Sequence, residues 1–196
     1  MSQAEIDTAM MQRCVRLSAA GPKHGDLPIA ALICEGETVL AEAVNEVRVQ
    51  KDVTRHAEIV ALTMARLERD HDFSNCTLYS TVEPCPMCCF AARELRVGRI
   101  VYALTSPVMG GLSKWNVLRD PDLSRVIPEI FGPVPEVVPG LLADEASAVW
   151  WNWNPLIWTV VKRRGCFASA SGAGTRMQAI PSPQAWLRSL FTLFTR

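Results

Sequence analysis

The chain has 196 residues, 20 Lys and Arg against 20 Asp and Glu, 49% hydrophobic residues and 20% charged ones. That length and composition belong to one folded domain with a full core, with or without a short appendage, and they exclude wholesale disorder and fibrous repeats. There is no run of about 18 apolar residues, so no membrane span is expected, and the acidic N-terminus lacks the basic flank and apolar core of a signal peptide, so a cytoplasmic protein is expected.

Residues 3–20 place Ile6, Met10, Cys14 and Leu17 at helical spacing, with Gly21-Pro22 as a stop. Ile29 to Cys34 reads as a buried strand, Glu35-Gly36-Glu37 as a turn and Thr38 to Val44 as the returning strand of a hairpin. His56 to Arg69 keeps helical register with no Gly or Pro. Cys76 to Val82 is a strand, Pro86 to Val97 a helix with Pro in its first turn, and Arg99 to Leu104 another strand. Residues 105–140, rich in Gly and Pro, predict a long loop around a short helix at 114–119, then a last strand near 134–138. Leu141 to Asn154 is apolar and helical, and Pro155 stops or kinks it. Residues 168–174 have a linker's composition, and Trp186, Leu187, Leu190, Phe191 and Phe194 form a helix-like apolar face. The order β-β-α-β-α-β argues for an α/β fold with a mixed sheet. The expected division is a domain over 1–164 and a linker with a basic, apolar tail over 165–196.

The net charge of zero conceals an asymmetry. Residues 1–145 hold all 20 acids and 14 bases, a net of −6, while the last 51 residues hold six bases and no acid. Clustered basic residues are what nucleic-acid phosphates require, so the acidic body favours a small substrate and the basic tail keeps RNA in play.

Seven cysteines without an export signal argue against a disulfide framework and for metal or catalytic use. Cys85, Cys88 and Cys89 lie within five residues at a helix start, where the helix dipole favours thiolates. His56 opens the preceding helix. One His nitrogen and the thiolates of Cys85 and Cys88 supply three positions of tetrahedral zinc, and a water in the fourth makes a catalytic site. Two thiolates donate charge to zinc and leave the water a poorer acid, so a nearby base is required, and Glu58 is the candidate. A structural zinc would instead need Cys89 or Cys76 as a fourth ligand, although Cys89 points about 100° further round the helix than Cys88. A redox Cys-x-x-Cys is the other alternative.

His56-Ala57-Glu58 and Pro84-Cys85-Pro86-Met87-Cys88 together match the H-x-E…P-C-x-x-C signature of zinc nucleobase deaminases. Over roughly residues 3–154 the chain resembles the cytidine/deoxycytidylate deaminase superfamily, in the branch of tRNA adenosine deaminase, guanine deaminase and cytosine deaminase. The resemblance runs through Gly25-Asp26-Leu27-Pro28-Ile29, Asn45, Thr54 to Ile59, Thr77 to Cys88 and Leu142-Ala143-Asp144-Glu145. It implies a three-layer α/β/α fold with a mixed five-stranded sheet, a homodimer, and zinc-dependent hydrolytic deamination. In that chemistry His56, Cys85 and Cys88 hold zinc and Glu58 carries protons from water to the substrate ring and then to the departing amine. The Asn45 side chain and the Ala57 backbone N–H hold the base or its sugar, and Leu27-Pro28 walls the pocket. Glu83 reads as a local hydrogen-bond partner. Trp115 is a candidate for stacking on the base, and Trp150, Trp151, Trp153 and Trp158 read mainly as packing of the last helix. His24 and His71 read as loop histidines.

The leading expectation is a deaminase of a small nucleobase or nucleoside. In tRNA deaminases an arginine-rich end follows Ala-Asp-Glu, whereas here Trp150-Trp151-Asn152-Trp153-Asn154-Pro155 follows and Lys162-Arg163-Arg164 comes only after the proline. Editing of tRNA adenosine to inosine is the alternative, and a non-catalytic module stapled by zinc is the third reading.

Overall fold

The computed structural model describes residues 1–21, 25–68 and 72–168. Helix α1 (Gln3–Ala20) starts with a capping box: Glu5 N–H donates to Ser2 Oγ at 3.4 Å and Ser2 N–H donates to Glu5 Oε2 at 2.7 Å. Strands β1 (Ala30–Glu35) and β2 (Thr38–Val44) form the expected hairpin, with a register shift at Ile33/Cys34. A single turn, α2 (Val47–Gln50), leads towards α3 (Ala57–Glu68), then β3 (Cys76–Val82), α4 (Pro86–Glu94) and β4 (Arg99–Leu104). The chain continues through a 3-10 turn (Val117–Arg119), α5 (Pro121–Val126), β5 (Glu136–Pro139), α6 (Ala143–Trp153) and α7 (Pro155–Arg163).

The strands make one mixed sheet in the order β2-β1-β3-β4-β5, antiparallel from β2 to β3 and parallel from β3 to β5. Strand side chains alternate between its faces. Ala31, Ile33, Leu78, Ile100 and Tyr102 meet the layer that contains α3 and α4. Leu32, Cys34, Tyr79, Val101 and Ala103 meet α1 and α6. Both faces are covered, as the resemblance implies, and each central strand is buried almost throughout rather than alternately, with Thr77, Ser80 and Thr81 of β3 as buried polar residues.

Two helices depart from the sequence expectation. Pro155 stops α6 as expected but also opens α7, and Pro121 opens α5; each sits in a first turn, where a missing N–H costs nothing. Asp120 caps α5 through Asp122 N–H, and Asn154 ends α6 while capping α7 through Ile157 N–H. Past α7 the chain turns at Gly165, where φ is +67°, and Ala168 exchanges two backbone hydrogen bonds with Thr105. Phe167 is buried there, its ring 5.2 Å from that of Trp150, which stacks on Trp158 at 5.6 Å. No helix among the described residues is long and apolar enough to cross a membrane.

Candidate active site

Two helix starts converge at one end of β3. His56 immediately precedes α3, its carbonyl accepting from Val60 N–H at 2.9 Å. Cys85 is the N-cap of α4, with Pro86 after it and Cys88 one turn on. His56 Nδ1 lies 3.5 Å from Cys85 Sγ and 3.6 Å from Cys88 Sγ, and the two sulfurs are 3.6 Å apart. Tetrahedral zinc with its usual bond lengths gives edges of about 3.6 Å between N and S and about 3.8 Å between S and S, so the three donors fit that ion as they stand. Among the described residues this cluster consists of His56, Cys85 and Cys88. Cys89 points away and donates its thiol to Pro84 O at 3.2 Å, and Cys76 is buried in β3.

The Cys88 thiol, hydrogen-bonded to Cys85, pulls Cys85 down to about 4 against the opposing effect of burial, and His56 assists. Cys88 is pushed up, first by that same bond and then by burial and the charge of Glu58. The bond to Cys85 also raises His56. The pair therefore shares a proton that a metal has to displace.

Glu58, in the first turn of α3, is 2% exposed, and burial pushes its carboxyl above the usual range. Ser80 Oγ donates to its Oε1 at 3.1 Å, while Oε2 lies 3.7 Å from Cys88 Sγ. The carboxylate faces the metal ligands without joining them. Ala57 opens α3 with an N–H that has no intrahelical acceptor, but it is not among the residues lining the cavity. Asn45 closes β2, donates its Nδ2–H to Asp26 and lines the cavity.

That cavity has a volume of about 300 Å³ and contains His56, Glu58 and Cys85. Leu27, Ile29, Val47, Val82, Met109 and Phe167 form its apolar walls, and Asp26, Asn45, Arg48, Glu83 and Ser106 contribute polar groups. Of the expected Leu27-Pro28 wall, Leu27 is present. Glu83 is the local hydrogen-bond partner expected: its carboxylate accepts from Ser106 N–H at 2.6 Å, Leu112 N–H at 3.0 Å, Ser113 N–H at 2.6 Å and Ser113 Oγ at 2.8 Å. It thereby pins the 105–116 loop to the turn that carries Cys85. Gly110 and Gly111 permit this approach, since a Cβ on Gly110 would meet the Glu83 carboxylate and one on Gly111 the Cys89 sulfur.

Trp115, the stacking candidate, is 60% exposed and is not a lining residue. Trp150 and Trp158 are core residues, while Trp151 is exposed. Lys162, Arg163 and Arg164 are exposed at the end of α7. His24, His71 and the 169–196 segment lie outside the described residues. The sequence reading assigns no role to Ser80, Met109 or Phe167. Nothing local marks them, because their contacts with the site come from distant parts of the chain. A second, larger groove of about 810 Å³ runs between α3 and α4, lined by Ile59, Leu62, Ala91, Leu95 and Ile130 among others, and none of His56, Cys85 and Cys88 lines it.

Residues 4–104 match the family model described as the cytidine and deoxycytidylate deaminase zinc-binding region. The chain is 35% identical over 146 residues to the tRNA(Ile)-lysidine synthase of Deinococcus deserti, a match covering 74% of this chain but only 26% of that protein. It is 31% identical over 148 residues to the tRNA-specific adenosine deaminase of Haemophilus influenzae, covering 74% of this chain and 81% of that enzyme. Among solved structures, one from a study of A-to-I editing by tRNA:A34 deaminases superposes with a TM-score of 0.63 at 28% identity, over 72% of this chain and 99% of that one. Guanine deaminase from Nitrosomonas europaea superposes with a TM-score of 0.57 at 27% identity, over 76% of this chain and 84% of that one. With its His-x-Glu and Pro-Cys-x-x-Cys halves brought to one metal-sized cluster, the chain belongs to the cytidine and deoxycytidylate deaminase family of zinc-binding hydrolases acting on carbon–nitrogen bonds.

Proposed function

We propose that the protein deaminates a small nucleobase or nucleoside by hydrolysis, with Glu58 as the proton carrier. The observation that carries this reading is the cavity. It is at the small end of ligand pockets, its walls are apolar, and Arg48 is the one Lys or Arg among its described lining residues. Phosphates need clustered cations, and the described lining offers no cluster.

His56, Cys85 and Cys88 would hold zinc, whose chemistry there would be Lewis-acid polarisation of a water. Glu58, neutralised easily because it is buried, takes a proton from that water and passes it to the ring nitrogen next to the amine-bearing carbon. A carbon–oxygen bond forms at that carbon. Glu58 then delivers the second water proton to the exocyclic nitrogen, the carbon–nitrogen bond breaks, ammonia leaves and a carbonyl remains. Ser80 keeps Oε1 fixed throughout, so Oε2 stays turned to the reacting atoms. Asn45, which lines the cavity, holds the base or its sugar; the expected Ala57 N–H contact has no support from the cavity lining.

Editing of tRNA is the second reading, favoured by the similarity to tRNA-specific adenosine deaminases and by the exposed Lys162, Arg163 and Arg164. A homodimer is proposed through the α3/α4 face, where Met64, Phe90 and Ile130 are 45–47% exposed around the large groove. Sedimentation at micromolar concentration tests it.

The functional test incubates zinc-loaded protein with adenine, guanine, cytosine, adenosine, cytidine and an anticodon stem-loop, and measures ammonia and inosine. Release of ammonia from a base or nucleoside, reduced by about 10²–10⁴-fold in Glu58→Gln with zinc retained, is expected. Activity on RNA alone would replace this reading with the second. No activity on any substrate would favour the zinc-stapled module.

A further inference from the structure

Asp26 lies in the segment before β1, 3% exposed, and no cation pairs with it among the described residues. Its carboxylate is held by three N–H donors: Asn45 Nδ2 at 2.8 Å and Arg48 N at 3.0 Å on Oδ1, and Val49 N at 3.1 Å on Oδ2. A buried charge without a counter-ion is costly, and a carboxylate facing three amides is one way to keep it. The Arg48 guanidinium beside it is committed to Gly25 O at 2.9 Å.

The consequence falls on Asn45. A side-chain amide has a donor end and an acceptor end, and a carboxylate can be faced only by the donor end. With Nδ2 on Asp26, Asn45 Oδ1 has no partner among the described residues, is not sealed from solvent, and belongs to a residue lining the cavity. Of the other polar side chains of the wall, Glu83 is engaged with its four donors and Ser106 Oγ with Cys166 O at 2.9 Å, while the exposed Arg48 uses one guanidinium N–H on Gly25 O and offers only donors.

We infer that Asp26 is a positioning residue that fixes Asn45 as a hydrogen-bond acceptor, so that the pocket selects a substrate presenting an N–H or O–H donor at that point. This rests on the deaminase reading above and narrows it. A ligand offering only acceptors at that edge leaves Oδ1 unsatisfied and is rejected, whereas one with a ring or exocyclic N–H, or a sugar hydroxyl, is held. Asp26 also anchors the turn at Arg48 and Val49, so the cavity wall and its polar contact form one rigid piece.

The test has two arms on zinc-loaded protein. In the first, KM and kcat are measured on whichever of adenine, guanine, cytosine, adenosine or cytidine turns over fastest. Asp26→Ala is expected to raise KM about tenfold with kcat within about threefold, the scale of one lost polar contact, and to change KM by about threefold or less in an Asn45→Ala background, the remainder coming from the turn at Arg48 and Val49. Equal effects in both backgrounds would overturn the inference, since Asp26 would then act on something other than Asn45. The second arm needs no turnover. In the ¹⁵N spectrum of the substrate-free protein, the Asn45 side-chain amide should carry a slowly exchanging proton that Asp26→Ala abolishes, and an unchanged amide would refute the positioning. Should Asp26→Ala not fold, Asp26→Leu, close to Asp in shape and without any acceptor for Asn45 Nδ2, serves in both arms. Absence of turnover on every compound would count against the deaminase reading, while the spectral arm still decides the role of Asp26.

Discussion

Replacing Glu83 by Gln tests whether the 105–116 loop is held to the metal-site turn by one carboxylate. Both oxygens are used: Oε2 accepts from Ser106 N–H and Ser113 Oγ, and Oε1 from the N–H groups of Leu112 and Ser113. A glutamine keeps one oxygen. With its NH₂ at the Oε1 position, two backbone N–H groups lose their acceptor. With NH₂ at the Oε2 position only Ser106 N–H does, because Ser113 Oγ can give its hydrogen to Ser106 O, 2.8 Å away, and accept instead. The second orientation is therefore adopted. It loses charge-assisted bonding and leaves a buried N–H facing a donor, a cost of about 2–4 kcal/mol. Urea unfolding of zinc-loaded Glu83→Gln should show that loss. Amide exchange at Ser106, Leu112 and Ser113 should accelerate by at least about 30-fold if the loop opens locally. Stability within about 0.5 kcal/mol of wild type together with unchanged exchange would refute the reasoning, and the loop would have to be held by its apolar contacts instead.

Three further outcomes follow from the same structure. Asp7 is 5% exposed; burial raises its carboxyl, but the bidentate Arg99 and bonds from Gln3 and Tyr79 outweigh this and hold it below the usual range. A depressed folded value contributes stability that is complete above the unfolded value near about 4 and is lost as pH falls through the folded value, so urea unfolding should show Asp7→Asn much less stable than wild type at neutral pH and the gap narrowing below about pH 4. Because Cys88 is pushed up and retains its proton until metal arrives, zinc affinity in a chelator competition should fall by at least about tenfold per pH unit between about pH 8 and 6, and a pH-independent affinity would contradict the shared proton. Gly111→Ala places a Cβ against Cys89 Sγ and, at 3.1 Å, against Pro84 O, and should cost about 1–3 kcal/mol in thermal or urea unfolding.

The parts legible in the sequence are those that chemistry or punctuation imposes locally. Zinc needs a small set of donor types at fixed spacing, so His56, Cys85 and Cys88 stand out by residue type and spacing alone. Strands β2, β3 and β4 run between the expected residues because turn formers or charged residues flank them. Helices α5 and α7 are missed when proline is read only as a breaker, because the capping Asp120 and Asn154 just before it turn it into a helix start. Contacts between distant segments leave no pattern to read. Asp26 meets Asn45 across 19 residues, and Ser106 meets Cys166 across 60. Phe167 therefore stays mute in the sequence, and Asp26, although it falls in a segment that carries the family resemblance, shows no role there; both line the cavity.

The return of the chain after α7 bears on how the protein should be trimmed and tagged. A stop after Arg164 removes Phe167, and with it one cavity wall and one face of the aromatic stack around Trp150, whereas a stop after Ala168 leaves both in place. A fusion joined directly at Ala168 starts opposite Thr105, next to the pocket residue Ser106. Met1 is the better handle. Its amino group lies 3.9 Å from Glu37 at the turn of the β1–β2 hairpin, and the cavity residues Ile29 and Asn45 flank the other end of that hairpin.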